Sequence, residues 1–292
     1  MKNFGKVGKE LRISRGLTQE QAGGTIKTST MSRFENENNM KLSNFVVWIE
    51  NVGLTYEEYF FAVNNYELTS YEALIHKATK LYANNQEQAV KKMLRDYKLD
   101  MNPSKKNVYE TLNFVVLKNL LHQWYGGEKL TSQEKKKVST HLLSIQDWAN
   151  YELFLYGNVM QAFGTDDIIK LSNELIIRSS QFGLVSKNKR IVSEILVNTA
   201  IALLNRGELT RAKHFKRQAE KQLDDLDLFN RTILIFASGE IDFLSGEIQK
   251  GMKEMEKAIT IFELTEREGL ASLYQKAYEK IIKETRNPEN ES

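Results

Sequence analysis

The chain has 292 residues, with 41 Lys and Arg against 38 Asp and Glu, and 41% of its residues are hydrophobic. This balance is ordinary for a globular protein, and the absence of Cys excludes disulfides, a thiolate nucleophile and Cys-ligated zinc. The longest apolar runs are far shorter than the roughly 20 residues of a membrane span, and the N-terminus lacks an apolar signal region. We therefore expect a cytoplasmic protein without a membrane partner. With only two Pro, almost nothing interrupts helices along the chain.

The first 63 residues predict five short helices. The local signals, in chain order, are a helix-ending Gly16, a capping box at Thr18-Gln19-Glu20-Gln21, the break at Gly23-Gly24, a cap at Thr28 or Ser29, the apolar run Phe45 to Ile49, and a second capping box at Thr55-Tyr56-Glu57-Glu58. A tight glycine turn between the second and third helices is typical of a helix-turn-helix domain.

The charge is concentrated in this head. Residues 1–41 hold eight basic and four acidic side chains, a net charge of +4, whereas the other 251 residues sum to −1. An excess of positive charge on a small surface attracts a polyanion, because each neutralised phosphate releases counterions. A solvated helix surface is the alternative.

Two segments carry a more specific signal. Arg15-Gly16-Leu17-Thr18-Gln19-Glu20-Gln21-Ala22 and Ser32-Arg33-Phe34-Glu35-Asn36 resemble the phage-repressor (XRE) class of helix-turn-helix domains. The resemblance implies that the third helix enters the major groove, where Arg33 can contact guanine O6 and N7. The implied DNA-binding residues are Arg15, Gln19, Lys27, Thr28, Ser29, Arg33, Asn36 and Lys41.

The same resemblance implies a structural ion pair between Arg12 and Glu35. The segment Thr18 to Glu35 is a residue or two shorter than is usual in that class, and Gln21 stands where Leu normally packs. We therefore expect an irregular second helix or turn.

Helical periodicity is nearly continuous after residue 66. Short turn signals recur about every 40 residues, at Asn84-Asn85, Gly126-Gly127, Gly164-Thr165, Gly207-Glu208 and Gly246-Glu247. This spacing favours stacked helical hairpins similar to tetratricopeptide repeats, forming a right-handed superhelix with a concave surface. The predicted organisation is a helix-turn-helix domain at 1–63, a linker at 64–70, a repeat domain at 71–286 and a frayed tail at 287–292.

A repressor-type head joined to such an array resembles the Rgg/MutR transcription regulators, especially their peptide-responsive, quorum-sensing members. Besides the Ser32 to Glu35 motif, the segment Trp148-Ala149-Asn150-Tyr151-Glu152 carries this resemblance. It implies a homodimer that binds double-stranded promoter DNA and is controlled by a short hydrophobic peptide on the concave face. The final helix is then either the dimer seam or the cap of the array.

Within the implied peptide site, the residues leave alternatives open. Asn198 is either a ligand clamp, since its amide satisfies both a donor and an acceptor of an extended peptide, or a helix-to-helix hydrogen bond. The resemblance to peptide-binding Asn residues of related regulators favours the clamp. The further candidates are Asn158 and Asn230 as weaker clamps, Arg178 and Arg190 as carboxylate ligands or solvated charges, and Trp148 and Tyr151 as pocket walls or core.

The sequence does not favour an enzyme, and we expect no cofactor or metal. The four His lie in separate helical segments without zinc-ligand spacing, and no phosphate-binding or nucleophile-elbow motif occurs. The main alternative function is a protein-interaction adaptor whose repeats bind a partner protein and whose DNA-binding head is vestigial.

Overall fold

A computed structural model describes residues 3–37, 39–68, 70–101, 107–182 and 185–286. Within these ranges the regular structure is entirely helical, so the predicted all-α fold class is confirmed. The helices are α1 Phe4–Ser14, α2 Gln19–Gly23, α3 Thr28–Glu37, α4 Leu42–Val52, α5 Tyr56–Val63, α6 Ser70–Ala83, α7 Glu87–Asp100, α8 Val108–Tyr125, α9 Ser132–Ser144, α10 Asn150–Val159, α11 Thr165–Arg178, α12 Ser186–Leu204, α13 Leu209–Gln222, α14 Leu228–Leu244, α15 Ile248–Leu264 and α16 Glu268–Arg286.

The chain divides into two compact units, Met1–Val90 and Lys91–Ser292. The first unit therefore reaches beyond the five predicted head helices and includes α6. In the predicted linker, Asn64 Nδ2 donates to the carbonyls of Glu67 (2.8 Å) and Leu68 (3.3 Å), which forms a hydrogen-bonded turn. The predicted domain boundaries stay predictions, and the predicted tail lies outside the described residues.

Helices α2 and α5 begin where the predicted capping boxes place them, whereas α3 begins at Thr28, so the predicted cap of that helix is its first residue instead. Thr18 and Thr55 each cap a helix, and the side chains of Gln21 and Glu58 bind back to the cap residues in capping boxes. The helices enclose a core that includes Phe34, Trp48 and Tyr59, all less than 4% exposed. Burial of these large aromatic side chains supplies most of the apolar stabilisation that a small unit can obtain.

The turn between α2 and α3 is held from α4. Gly24 has φ +55°, a left-handed conformation in which glycine avoids the steric cost of a side chain. Asn51 Nδ2 donates to the carbonyl of Ala22 at 3.1 Å, next to this turn. A Cβ atom on Gly24 would lie 2.7 Å from the same Asn51 nitrogen, so a larger residue would displace the side-chain amide that holds the turn.

The second unit is built from two rows of helices. Helices α8, α10, α12 and α14 contact one another in succession and form the first row. Helices α9, α11, α13 and α15 form the second row, and the hairpins α12–α13 and α14–α15 are the most closely packed. The five predicted turn signals all fall between helices, as stacked hairpins require.

Neighbouring first-row helices run parallel. Asn150 Nδ2 donates to Asn188 Oδ1 (3.5 Å), and a Cβ on Gly157 would lie 3.3 Å from Ile195, so two contacts between α10 and α12 both join residues 38 apart. In the same way Asn119 Nδ2 of α8 donates to the Asn158 carbonyl of α10 at 2.7 Å. A constant offset along the chain requires parallel axes.

The last helix covers the end of the array. The Tyr274 ring of α16 stacks on Phe262 of α15 and meets Phe236 of α14 edge-on, with centroids 5.2 Å and 4.8 Å apart. Leu264 and Leu273 remain 79% and 59% exposed. Helix α16 therefore buries one apolar face, while Leu264 at the end of α15 and Leu273 of α16 remain at the surface.

Candidate functional site

Helix α3 presents one exposed face. Thr28, Ser29 and Arg33 are exposed, while Met31, Phe34 and Glu35 of the same helix are buried. Positions 28, 29 and 33 lie on one side because of the 3.6-residue period. The buried residues anchor the helix, so these three side chains are free to contact a partner.

The anchor is an ion pair beneath that face. Arg12 Nε and Nη2 donate to the two carboxylate oxygens of Glu35 at 2.6 and 3.0 Å, and Gln19 Nε2 donates to Glu35 Oε2 at 2.9 Å. Burial opposes ionisation of Glu35, but the hydrogen bonds from Arg12 and Gln19 outweigh it and lower the Glu35 pKa. The implied Arg12–Glu35 pair is thus present, and the Gln19 side-chain amide is held inside the domain.

Four further predicted DNA-binding residues are also exposed, namely Arg15, Lys27, Asn36 and Lys41. Arg15 Nη1 donates to the Leu11 carbonyl at 3.1 Å. Asn36 Nδ2 donates to the Ser32 carbonyl at 2.9 Å on the exposed side of α3. Sequence reasoning did not select Ser32, which lies between Thr28 and Asn36 on this face.

The first-row helices α10, α12 and α14 share a second exposed surface, which we call the open face. It consists of partly or fully exposed side chains spaced three or four residues apart, namely Tyr151, Phe154, Asn158, Ile191, Glu194, Asn198, Arg231, Ile235 and Ser238. Glu152 and Tyr156 point the other way, to His141 of α9 (3.4 Å) and Ser172 of α11 (2.8 Å). The open face is therefore directed away from the second row.

Asn198 lies near the middle of the open face. Its side chain is partly exposed, and the described part of the chain supplies it with no hydrogen-bond partner. The sequence had left open a ligand clamp or a helix-to-helix hydrogen bond. A free amide among apolar side chains has both its donors and its acceptor available to a bound chain.

Glu194 lies near the edge of the open face, between charges of opposite sign. Desolvation by the surrounding protein raises the Glu194 pKa, the positive charge of Arg190 lowers it, and the negative charge of Asp227 raises it. Arg190 and Asp227 mark the edge of the open face at the N-terminal ends of α12 and α14.

The α10 part of the open face is aromatic. Tyr151 OH donates to Asn113 Oδ1 of α8 at 3.0 Å, and its ring lies 6.1 Å from that of Phe154. Asn158 Nδ2 donates to the Phe154 carbonyl at 2.8 Å, which leaves its second N–H and its Oδ1 for a ligand. Tyr151 and Asn158 thus lie on the same surface as Asn198.

Three predicted peptide-binding residues lie away from the open face. Trp148 is fully buried, and its indole N–H donates to the Leu142 carbonyl at 3.0 Å. The Arg178 guanidinium binds the carbonyls of Leu143 and Ile145, and Asn230 is 2% exposed with its Nδ2 bound to Asp227 at 2.7 Å. These side chains stabilise the array.

Sequence reasoning missed Phe154, Ile191, Glu194 and Arg231. Their spacing from Tyr151 and Asn198 is helical, and the offset of 38 residues between α10 and α12 aligns the faces. That offset was visible only as an irregular period near 40, because the connectors differ in length. In the described residues no group of His, Asp and Glu is arranged to hold a metal ion, and none of the helices is both long and apolar enough to cross a membrane.

Residues 91–276 match the family model for the C-terminal domain of the HTH-type transcriptional regulator Rgg. The chain belongs to the Rgg family of transcriptional regulators. The matched segment covers the whole open face, while the helix-turn-helix head that the family description requires lies before it, in α1–α5.

Solved structures of Rgg-type fold support the same architecture. The Rgg2 SHP pheromone receptor of Streptococcus dysgalactiae is 20% identical with a TM-score of 0.82 over 95% of this chain and 99% of its own. A putative transcriptional regulator of Listeria monocytogenes EGD-e is 17% identical with a TM-score of 0.81, covering 97% and 98%. Bacillus thuringiensis PlcR, solved with the peptide PapR7 and DNA, is 13% identical with a TM-score of 0.63, covering 95% and 99%. At these identities the likeness establishes the fold.

Proposed function

We propose that this Rgg-family chain is a cytoplasmic, sequence-specific DNA-binding regulator controlled by a short, hydrophobic signalling peptide, as in quorum sensing. The peptide occupies the open face, and a homodimer binds double-stranded promoter DNA. The observation that carries the proposal is the free Asn198 amide near the middle of an exposed face that also presents Tyr151, Phe154 and Ile191.

The DNA half of the proposal rests on α3. Its exposed Thr28 and Ser29 stand at the helix N-terminus, where free backbone N–H groups and the helix dipole attract phosphate. Arg33 lies one turn further and is held only by an exposed contact to Glu37 at 3.9 Å. Such a contact is worth little, so Arg33 is available for a bidentate bond to guanine.

The peptide half rests on the chemistry of the open face. An extended peptide has backbone amides that need partners, and Asn198 supplies both a donor and an acceptor. Phe154 and Ile191 offer apolar contacts on the same face. Two relatives support this assignment, since Rgg2 is described as a pheromone receptor and PlcR was solved with a peptide and DNA.

Dimerisation follows from the proposed DNA binding. One helix-turn-helix head binds few base pairs, and paired heads read two half-sites about one turn of DNA apart. Leu264 and Leu273 are exposed near the end of the array and offer apolar surface for self-association.

Fluorescence polarisation of the full chain tests the proposal. DNA fragments from upstream of its own gene and of neighbouring genes are titrated at low and physiological salt, with and without short peptides encoded nearby. We expect one fragment to bind saturably, with affinity falling steeply as salt rises, and one peptide to bind directly.

The short α2, only five residues long, is the feature that favours the adaptor alternative. Absence of specific DNA binding across the locus would support that alternative instead.

A further inference from the structure

A cavity of about 420 Å³ lies at the edge of the open face. Its walls come from the first turn of α12, the loop between α13 and α14, and the start of α14. Arg190 and Asp227, which mark that edge, both line it. The cavity therefore adjoins the open face at these two residues.

The cavity contains two acidic and two basic side chains, and only the acidic ones are engaged. Asp224 Oδ1 accepts from the Leu226 amide at 3.0 Å, and Asp227 accepts from the Asn230 amide at 3.1 Å and from its Nδ2 at 2.7 Å. These bonds hold the chain's own loop and cap α14. Both carboxylates are thus used internally.

The two cations have no such partners. In the described part of the chain neither Lys189 nor Arg190 forms a side-chain hydrogen bond or an ion pair within 4.0 Å. Glu194 attracts Arg190 from one turn away without closing a contact of that length. Among the charged side chains that line the cavity, only the two cations therefore lack a partner, and an anionic group that enters it would pair with them rather than with the two carboxylates.

Apolar side chains surround the same cavity. Leu226, Leu228 and Phe229 are 92%, 55% and 45% exposed, although each is large and apolar. Clustered exposed apolar side chains beside a concavity are typical of a ligand site. An inorganic anion would leave them in water, whereas an amino-acid residue would cover them.

We infer that this cavity binds the C-terminal residue of the peptide, pairing its free carboxylate with Arg190 and Lys189 and covering its apolar side chain with Leu228 and Phe229. The inference rests on the proposed function, because it requires a peptide on the open face. A short hydrophobic peptide carries a single backbone anion, its terminal carboxylate, and the planar Arg guanidinium matches that group with two parallel hydrogen bonds. The cavity consequently selects peptides by their C-terminal end.

Competitive capture on the immobilised full chain tests the inference. The probe is an equimolar library of octapeptides of Gly, Val, Leu, Ile and Phe, made once with a free carboxylate and once as the isotopically labelled C-terminal amide. We expect the carboxylate form to be enriched by about 10-fold to 100-fold, the worth of a charge-assisted hydrogen bond. In the double variant Lys189→Gln/Arg190→Gln the enrichment should disappear.

A matched control variant and two contrasting outcomes make the result decisive. The matched double variant Lys213→Gln/Arg217→Gln removes two cations from α13 and should retain the enrichment. Equal capture of both forms, with both lowered by Asn198→Ala, would overturn the terminal-residue site and leave the peptide function standing. Capture of neither form would overturn the peptide function and this inference with it. Circular dichroism of each variant confirms that the fold is retained.

Discussion

Gly239 of α14 and Gly251 of α15 lie against each other where the two helices cross, and neither position has room for a Cβ atom. A Cβ on Gly239 would lie 2.6 Å from the Gly251 carbonyl oxygen, and one on Gly251 would lie 2.5 Å from that of Gly239. The obstructing atoms are backbone, which does not rotate away as a flexible side chain does. The close approach of α14 and α15 thus depends on both glycines.

Replacing either glycine should therefore destabilise the repeat unit. We expect Gly251→Ala to lower the free energy of unfolding by roughly 1–3 kcal/mol or more, because the helices must separate to admit the methyl group. Urea unfolding followed by circular dichroism measures the change. Gly269→Ala is the matched control, since no atom lies within 4 Å of its Cβ, and it should be neutral or slightly stabilising. Equal midpoints for the two variants would contradict this account of the crossing.

The Glu35 carboxylate should make the head sensitive to acid. Its pKa is lowered in the folded state, so its stabilisation is complete above its unfolded value of about 4.3 and is lost as the pH falls through the folded pKa. Glu35→Gln should remove this dependence and destabilise the head, because it leaves the buried Arg12 without a counterion. Hydrogen exchange of residues 3–63, corrected for intrinsic rates, measures both effects.

Glu37 provides the control for that experiment. It lies on the same helix, and its contact to Arg33 is exposed and 3.9 Å long. Glu37→Gln should leave the acid dependence of protection unchanged. The ion-pair account fails if both variants behave alike.

Arg33→Ala should weaken binding to the preferred promoter fragment by roughly 1–3 kcal/mol and reduce the discrimination between sequences. Lys41→Ala should instead weaken binding to all fragments and reduce the salt slope by about one. Polarisation titrations over a salt series separate the two patterns. Arg217→Ala, an exposed change of equal charge on α13, is expected to leave promoter binding unaltered. Unaltered binding by Arg33→Ala would overturn the assignment of α3 as the recognition helix.

Asn198→Ala should reduce peptide affinity by at least about 10-fold and leave DNA affinity of the peptide-free protein unchanged. The substitution breaks no hydrogen bond within the described part of the chain, so we expect the fold, and with it the DNA affinity, to be unchanged. Calorimetric titration with the captured peptide measures the change. Asn173→Ala, an exposed Asn on α11, is the matched control and should bind peptide normally. A parallel loss of thermal stability in Asn198→Ala would assign the residue to the fold.

Arg178→Ala should do the opposite and lower stability without changing peptide affinity. Its guanidinium satisfies the carbonyls of Leu143 and Ile145, which would be left unpaired at roughly 1–3 kcal/mol each. Thermal unfolding and a peptide titration below the transition temperature distinguish the two effects. Reduced peptide affinity in the folded variant would instead show that Arg178 takes part in peptide binding.

The head helices could be predicted closely from the sequence because their signals are local. Thr18 with Gln21, and Thr55 with Glu58, are three residues apart, and each pair forms its capping box whatever the rest of the chain does. The left-handed conformations of Gly16 and Gly24 follow equally from the residue type. The exposed face of α3 likewise follows from helical spacing once the buried Phe34 is recognised.

The peptide site was harder to predict because burial there depends on distant packing. Trp148 and Tyr151 are both aromatic and only three residues apart, but Trp148 is in the core and Tyr151 is on the open face. Likewise Arg178 and Arg190 look alike in sequence. The carbonyls that bind Arg178 are 33 and 35 residues earlier in the chain, at a distance that local patterns do not encode.

Because α8, α10 and α12 run parallel, their helix dipoles all point in the same direction along the array. Each helix carries about half a positive charge at its N-terminus and half a negative charge at its C-terminus, and dipoles of parallel neighbours reinforce one another. The edge near Arg190 therefore lies at the positively polarised N-terminal ends of α10 and α12, whose effect is confined to about the first turn. A short peptide, with an ammonium at one end and a carboxylate at the other, is itself a dipole. The two opposite orientations of the peptide on this surface consequently differ in energy, independently of the contacts that its side chains make.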